Sequence, residues 1–376
     1  MIKSVIAAAA LAAAATLALY QLDGAGSPAF ATIEPATADA AIRAKLDAQA
    51  PAWLKTHGVP SVSIAVIRDG AIAWTAAYGE QGPGKAATPA TLYNIASMTK
   101  PITAETIMRL AAQGKLGLDE PMWPHWVDPD ILADPRHKLL TPRLSLSHRT
   151  GFPNWRRETD KVLKFTFDPG TKSSYSGEGY EYVARFAEKK LGERFDALAQ
   201  RVVLDPIGIK ETSYNKRDWF KDRVAQPFDK KFLEPDFADT WIASDLVYAT
   251  AADYAKFVIA VMNNDGVGEN LAAERKVTVD DFAPEVCAQA KLAGDNCPAR
   301  VGFGLGWAVL NYKKETIVMH GGSDTGAKTQ GYFVPERRFG VVIFTNGENG
   351  NKIIHEVAAA IDPTSPYIAF LAMQAR

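Results

Sequence analysis

Two hairpin patterns stand at opposite ends of this chain, with helical periodicity between them, and that arrangement constrains the fold most. The first runs through Ser61, Val62, Ser63, Ile64, Ala65, Val66 and Ile67, turns at Asp69-Gly70 and returns through Ala71 to Thr75. The second covers residues 330–334, a turn at 335–338, and residues 339–344. Residues 38–54, before the first hairpin, and 351–360, after the second, carry apolar side chains at helical spacing. Between the hairpins helical periods dominate, as at residues 180–191 and 251–262. Helix, strands, helical block, strands and helix predict an α/β (α+β) chain. Residues 32–96 and 298–376 would form one discontinuous α/β lobe, with a mostly helical lobe, 97–297, inserted into it. At 376 residues and 47% hydrophobic content, the chain can bury a large core.

Charge and cysteine content narrow the setting. A net charge of −1 gives no electrostatic case for binding nucleic acid or an anionic membrane. Residues 1–31 read as a signal peptide: one lysine, then about 15 apolar residues, fewer than the ~20 that span a bilayer. Ala29-Phe30-Ala31 offers a small-x-small cleavage site, so a periplasmic or secreted protein is expected, with an uncleaved membrane anchor as the weaker alternative. No cysteine follows the apolar run, which excludes a lipoprotein anchor. Cys287 and Cys297, separated by a short loop, are expected to pair in an oxidising compartment; two buried free thiols are the alternative. They lack C-x-x-C spacing, and no H-E-x-x-H occurs, so neither a metal nor another cofactor is expected.

Ser97-Met98-Thr99-Lys100 places a hydroxyl and an amine three residues apart, on one helix face. A serine hydroxyl becomes nucleophilic when a neighbour takes its proton, and a desolvated lysine can do so. Ser97 reads as a helix cap, Pro101 fits the first turn, and Gly114 closes the run. Tyr175 follows a Pro169-Gly170 turn and precedes Ser176-Gly177, so a loop delivers its phenol. His320 comes after Ile317-Val318-Met319 and before Gly321 and Gly322, a histidine beside bare backbone where a substrate can approach closely. Two other patterns fail. The G-x-x-x-x-G-K run ending at Lys85 has Ala86 where a metal-binding hydroxyl is needed, and Pro83 removes an N–H from the cradle. Ser323 follows two glycines, but Thr325 occupies the last glycine position of G-x-S-x-G.

Taken in order, Ser97 to Lys100, Tyr175-Ser176-Gly177 and His320-Gly321-Gly322 resemble the motifs of the serine β-lactamase and penicillin-binding-protein superfamily. Within it the chain is most similar to the branch holding class C β-lactamases, D-stereospecific peptidases and family VIII esterases. Residues 114–119, Pro206-Ile207-Gly208, residues 302–307 and Thr345-Asn346-Gly347 extend the likeness from about residue 40 to about residue 360. The resemblance implies an antiparallel sheet flanked by helices, an inserted all-helical lobe, and a site at the lobe junction. It implies Ser97 as nucleophile, Lys100 and Tyr175 as the base–acid pair, and His320 as a hydrogen-bonding or electrostatic aid to the acyl or leaving group. The backbone N–H groups of Ser97 and Ser323 would form the oxyanion hole. Gly177, Gly321, Gly322 and Trp155 are the expected substrate-binding positions; Trp241 is a second candidate for the acyl wall, with core packing equally expected of both tryptophans. His148 is expected to hold the loop that follows it, and Glu178 to be a structural acid.

One position departs from the pattern. Gly177 stands where the family usually has Asn, whose side chain hydrogen-bonds the acyl amide of the substrate. Esters and short D-amino-acid peptides or amides therefore rank ahead of β-lactams. The expectation is an exported serine hydrolase working through an acyl-serine, on small-molecule ester, amide or peptide substrates that include peptidoglycan fragments. A β-lactamase or DD-peptidase-type penicillin-binding protein is the alternative. A muropeptide-binding protein without catalysis, on the same scaffold, is the remaining one.

Overall fold

The structure, a computed structural model, describes residues 35–376, so the expected leader at 1–31 and its cleavage site lie outside the described residues. Helices of eight residues or more are α1 (Pro35–His57), α2 (Thr99–Ala112), α3 (Gly177–Leu191), α4 (Ala251–Met262), α5 (Ala283–Ala290), α6 (Gly350–Ile361) and α7 (Tyr367–Gln374). Strands β1 (Ser61–Arg68), β2 (Ala71–Gly82) and β3 (Lys85–Ala86) precede α2. Strands β4 (Arg300–Phe303), β5 (Ala308–Asn311), β6 (Thr316–Asp324), β7 (Ala327–Val334) and β8 (Phe339–Thr345) follow α5. All eight join in one antiparallel sheet of order β3-β2-β1-β8-β7-β6-β5-β4. The two hairpins read from sequence thus meet in its middle, with Val62 opposite Thr345, Ile64 opposite Ile343 and Val66 opposite Val341.

Period two explains why β1 and β8 are apolar almost throughout. Residues two apart share a sheet face, and here both faces are covered. Val62, Ile64, Val66, Val341 and Ile343 pack with Leu46 and Leu54 of α1, Ile353 and Val357 of α6, and Leu371 of α7. Ala65, Ile67, Val342 and Phe344 belong to the opposite core, which holds Ile102 and Ile107 of α2, Phe186 of α3 and Phe257 of α4. That second core continues into the helical region and sets the floor of the site.

Cys287 of α5 is bonded to Cys297, with the Cα atoms 5.6 Å apart. Gly82 and Lys85 pair across the β2–β3 hairpin, so the phosphate-loop pattern ending at Lys85 is a turn between strands. No described helix is long and apolar enough to cross a membrane. Residues Ile42–Arg376 form one unit by their internal contacts, and the candidate site lies wholly within it.

Candidate active site

Ser97 sits in a 3-10 turn, Ala96–Met98, that leads into α2. Ala96 adopts φ +48°, a left-handed conformation that a residue with a Cβ adopts only when its surroundings enforce it. Three bonds enforce it here. Asn94 Oδ1 accepts the Ala96 N–H at 2.8 Å, Thr329 Oγ1 donates to the Ile95 carbonyl at 2.9 Å, and the Tyr254 hydroxyl donates to the Met98 carbonyl at 3.0 Å. Ser97 is therefore not the cap of α2. That position falls to Met98, which makes no side-chain cap bond, and the Ser97 hydroxyl is engaged by Lys100 instead.

Lys100, in the first turn of α2, is fully buried. Its Nζ donates to Ser97 Oγ at 3.0 Å and to the Ser244 carbonyl at 2.9 Å. The amine also lies 4.8 Å from the centre of the Tyr175 ring and 5.9 Å from that of Tyr180. Ser244 is held in turn by Glu181 of α3. The carboxylate accepts the Ser244 N–H at 2.9 Å, the Ser244 hydroxyl at 2.6 Å and the Ala243 N–H at 3.2 Å. Burial raises the Glu181 carboxyl above its usual range, against the pull of those hydrogen bonds.

Tyr175 comes from the loop just before α3, as its flanking residues predicted. His148 shapes that loop from φ +58°. Its Nδ1 accepts the Ser176 N–H at 3.0 Å, its carbonyl accepts the Ser174 N–H at 2.8 Å, and its ring lies 4.5 Å from the Tyr175 ring. Burial, then the charge of Lys100, push His148 well below the usual histidine range, so it stays neutral and structural. Tyr175 itself is half-buried, and its contacts with His148, Phe303, His320 and Lys100 all run through the ring. Tyr175 lines the same cavity as Ser97.

Strand β6 forms the opposite wall. A Cβ on Gly322 would sit 2.2 Å from Thr329 Oγ1, 2.3 Å from the Ile95 carbonyl and 3.1 Å from the Ala96 Cβ. Only glycine lets β6 pass this close to the serine turn. His320 is buried, and its Nδ1 lies 2.7 Å from the Gly321 carbonyl. A carbonyl only accepts, so Nδ1 carries the proton and Nε2 keeps its lone pair. Burial, with the charge of Lys100 adding to it, pushes His320 down to about 3. The aid expected of His320 is thus hydrogen bonding from a neutral ring, and not a positive charge.

Ser97, Trp155, Tyr175, His320, Gly321, Gly322 and Ser323 line one cavity of about 640 Å³. Two expected positions stand elsewhere. Trp241 is buried in the helical core, 5.5 Å from Phe195, with its Nε1 on Glu188. Gly177 is buried beneath Asn154 and Trp155, because its N–H donates to the Asn154 carbonyl at 3.1 Å and to Asn154 Oδ1 at 2.9 Å. It is Asn154 that reaches the cavity. Asp245, next to the carbonyl that holds Lys100, lines it too. Glu178 binds Arg156 at 2.8 Å and is structural. Asn154, Glu181, Ser244 and Asp245 belong to no motif, and only the fold brings them to Ser97.

An addressable serine, a buried lysine beside it, a loop tyrosine and a strand histidine, set where an antiparallel sheet meets helices, define a protein of the serine β-lactamase and penicillin-binding-protein fold. The chain belongs to the Beta-lactamase family, whose model matches residues 38–363. Relatives include the D-alanyl-D-alanine-carboxypeptidase/endopeptidase AmpH of Escherichia coli K12, 23% identical over 77% of this chain and 82% of that protein. Esterase EstB of Burkholderia gladioli is 27% identical over 52% of this chain and 57% of its own length. Unguisins hydrolase ungD of Aspergillus violaceofuscus is 24% identical over 78% of this chain, which spans only 59% of that enzyme. The fold matches that of the D-alanine carboxypeptidase AmpC of Burkholderia cenocepacia, with a TM-score of 0.70, 22% identity, and coverage of 87% of this chain and 100% of that one.

Proposed function

We propose that this chain is a serine acyl-hydrolase that cleaves carboxylic esters or amides, short peptides included, through an acyl-enzyme on Ser97. One observation carries the reading: Ser97 Oγ, at the cavity wall, lies 3.0 Å from the Nζ of a fully buried lysine. In its deprotonated form the Lys100 amine, 3.0 Å from Oγ, takes the Ser97 proton as Oγ bonds to the carbonyl carbon, and the carbonyl electron pair moves onto its oxygen. The N–H groups of Ser97 and Ser323 meet that oxyanion. Tyr175 donates a proton to the leaving atom as its bond to carbon breaks, and regains one from Lys100. Neutral His320 accepts a hydrogen bond at Nε2 and orients the substrate. Water then attacks the acyl carbon, and the same groups run in reverse to free Ser97.

The relatives' names include a carboxypeptidase, an esterase and a hydrolase, which supports esters and amides as substrates. β-Lactams remain the alternative class, and Gly177, which lies outside the cavity, does not decide against them. The reading includes export, supported by the Cys287–Cys297 disulfide and its need for an oxidising compartment; peptidoglycan-derived peptides are substrates of that compartment. Fluorophosphonate labelling, read by mass spectrometry of the Ser97 peptide, tests the chemistry. A single adduct on Ser97, lost in Ser97→Ala together with turnover, is expected. Activity persisting in Ser97→Ala would overturn the mechanism. For export, N-terminal sequencing of secreted protein is expected to begin near Thr32, and a full-length membrane-bound product would refute it.

A further inference from the structure

Asp245 follows the residue whose carbonyl holds Lys100, and it lines the same cavity as Ser97, Tyr175 and His320. The backbone there is set: Leu246 adopts φ +61°, and its N–H donates to Asp245 Oδ1 at 2.9 Å. No lysine, arginine or histidine among the described residues forms an ion pair with this carboxylate. Lys100, the opposite charge it feels, commits its amine to Ser97 and Ser244. The cation among the cavity-lining residues, Arg157, is exposed and lies 5.6 Å from the Trp155 ring.

The surroundings favour a cation arriving from outside. Burial raises the Asp245 carboxyl to about 6; Lys100 opposes that shift, while Asp324 and Glu181 add to it. A poorly hydrated carboxylate without a charged partner gains more from a charged hydrogen-bond donor than a solvated one does. His320 is neutral and offers no competing charge. Two other roles fail on geometry. Ser97 already has its base at 3.0 Å in Lys100, and no group of three or more His, Cys, Asp or Glu among the described residues could hold a metal ion.

We propose that Asp245 is a specificity-determining residue that receives a protonated amine of the substrate, which makes amino-bearing esters, amides and short peptides with a free amine the preferred class. The proposal rests on the acyl-hydrolase reading above and deepens it.

The test uses two nearly isosteric substrates, the p-nitrophenyl esters of β-alanine and of butanoic acid, in which an ammonium replaces a methyl. Comparing the ratio of their kcat/KM values between proteins cancels the difference in chemical reactivity. Asp245→Asn is expected to lower the ratio by about tenfold or more, chiefly through KM of the amino ester, and Asp245→Glu to retain most of it. A ratio unmoved in Asp245→Asn, or equal losses on both esters, would overturn the proposal and leave Asp245 as a modulator of Lys100. Should Asp245→Asn not fold, inhibition of the wild type at constant ionic strength decides. Propylammonium is expected to compete at about tenfold lower concentration than 1-propanol, and equal potency would refute the assignment. A wild type that turns over neither ester and takes no fluorophosphonate on Ser97 fails the acyl-hydrolase reading itself, a result distinct from an unmoved ratio.

Discussion

Glu181 grips Ser244 twice, at its backbone N–H (2.9 Å) and at its hydroxyl (2.6 Å), and the carbonyl of that same serine receives Lys100 Nζ. The Lys100 amine is thus positioned from behind by a carboxylate of α3, while the loop leading into α3 presents Tyr175. One stretch of chain sets the placement of both groups.

Glu181→Ala should therefore slow catalysis without touching the substrate. Leaving the buried Ser244 groups unpaired costs ~1–3 kcal/mol, and misplacing Lys100 by part of that lowers kcat roughly tenfold. KM should move little. Glu181→Gln still accepts through its carbonyl and should keep most of the rate. Steady-state kinetics across pH separate this from a purely structural role, which would lower the melting temperature and leave the pH profile in place. A wild-type kcat and pH profile in Glu181→Ala would refute the positioning role.

The legible parts of this molecule are those whose physics is local. Nearly continuous apolar residues at 61–67 and 339–344 marked the central strands, because a strand covered on both faces by helices needs them. Ser97 and Lys100 could be paired because three residues on a helix bring two side chains together. Ser244 and Asp245 reach the site through long-range folding, and Asn154 and Glu181, though close in sequence to Trp155 and Tyr175, carry no pattern of their own that assigns them to it. Ser97 read as a cap because serine favours that role; the left-handed turn at Ala96 and the nearby amine redirected its hydroxyl. Gly177 read as a substrate contact from its place after Tyr175, whereas its N–H is turned toward Asn154.

His320 should stay neutral through the working range. Its folded value falls to about 3, against an unfolded value near ~6.5. The stability this contributes is present above the unfolded value and is lost as pH falls toward 3. Histidine-labelled NMR should find a neutral ring protonated at Nδ1 at pH 5. An imidazolium signal for His320 at that pH would contradict the assignment.

Asp245 shows the opposite sign. Its carboxyl is raised from 3.8 to about 6, chiefly by burial. The protonated form favours the fold, so this contribution is full below the unfolded value and is lost as pH rises through 6. Asp245→Asn should raise the melting temperature more at pH 8 than at pH 4, as measured by scanning fluorimetry. Equal shifts at the two values would mean that the carboxylate is not strained by burial.

The Cys287–Cys297 bond closes a loop with a sequence separation of 10. Chain-entropy arguments put the stabilisation from a loop of that size at about 2–3 kcal/mol. Cys287→Ser/Cys297→Ser should unfold at correspondingly lower denaturant. An unmoved midpoint would show that the bond adds nothing to equilibrium stability.

Asn154 lines the cavity and Gly177 does not, so a test of amide recognition belongs at Asn154. A Cβ at position 177 would lie 3.1 Å from the Asn154 carbonyl and 3.2 Å from Trp155 Cη2, so a larger side chain there must displace the indole. The Gly177 N–H already donates to Asn154 Oδ1 at 2.9 Å, which fixes the carboxamide orientation because a backbone N–H requires an acceptor. Asn154 Nδ2 is then the donor left for a substrate carbonyl in the cavity that Asn154 lines. Removing it leaves such a carbonyl unpaired, at ~1–3 kcal/mol if buried. Asn154→Ala should therefore lower kcat/KM for an acylamino ester, relative to a plain short-chain ester, by roughly tenfold. Gly177→Asn, which sequence alone would favour as a route to amide recognition, should leave that ratio unimproved, because its side chain collides with Trp155 before it reaches the substrate. If Gly177→Asn raises the ratio while Asn154→Ala leaves it unchanged, the clamp belongs to position 177 and the indole gives way to it.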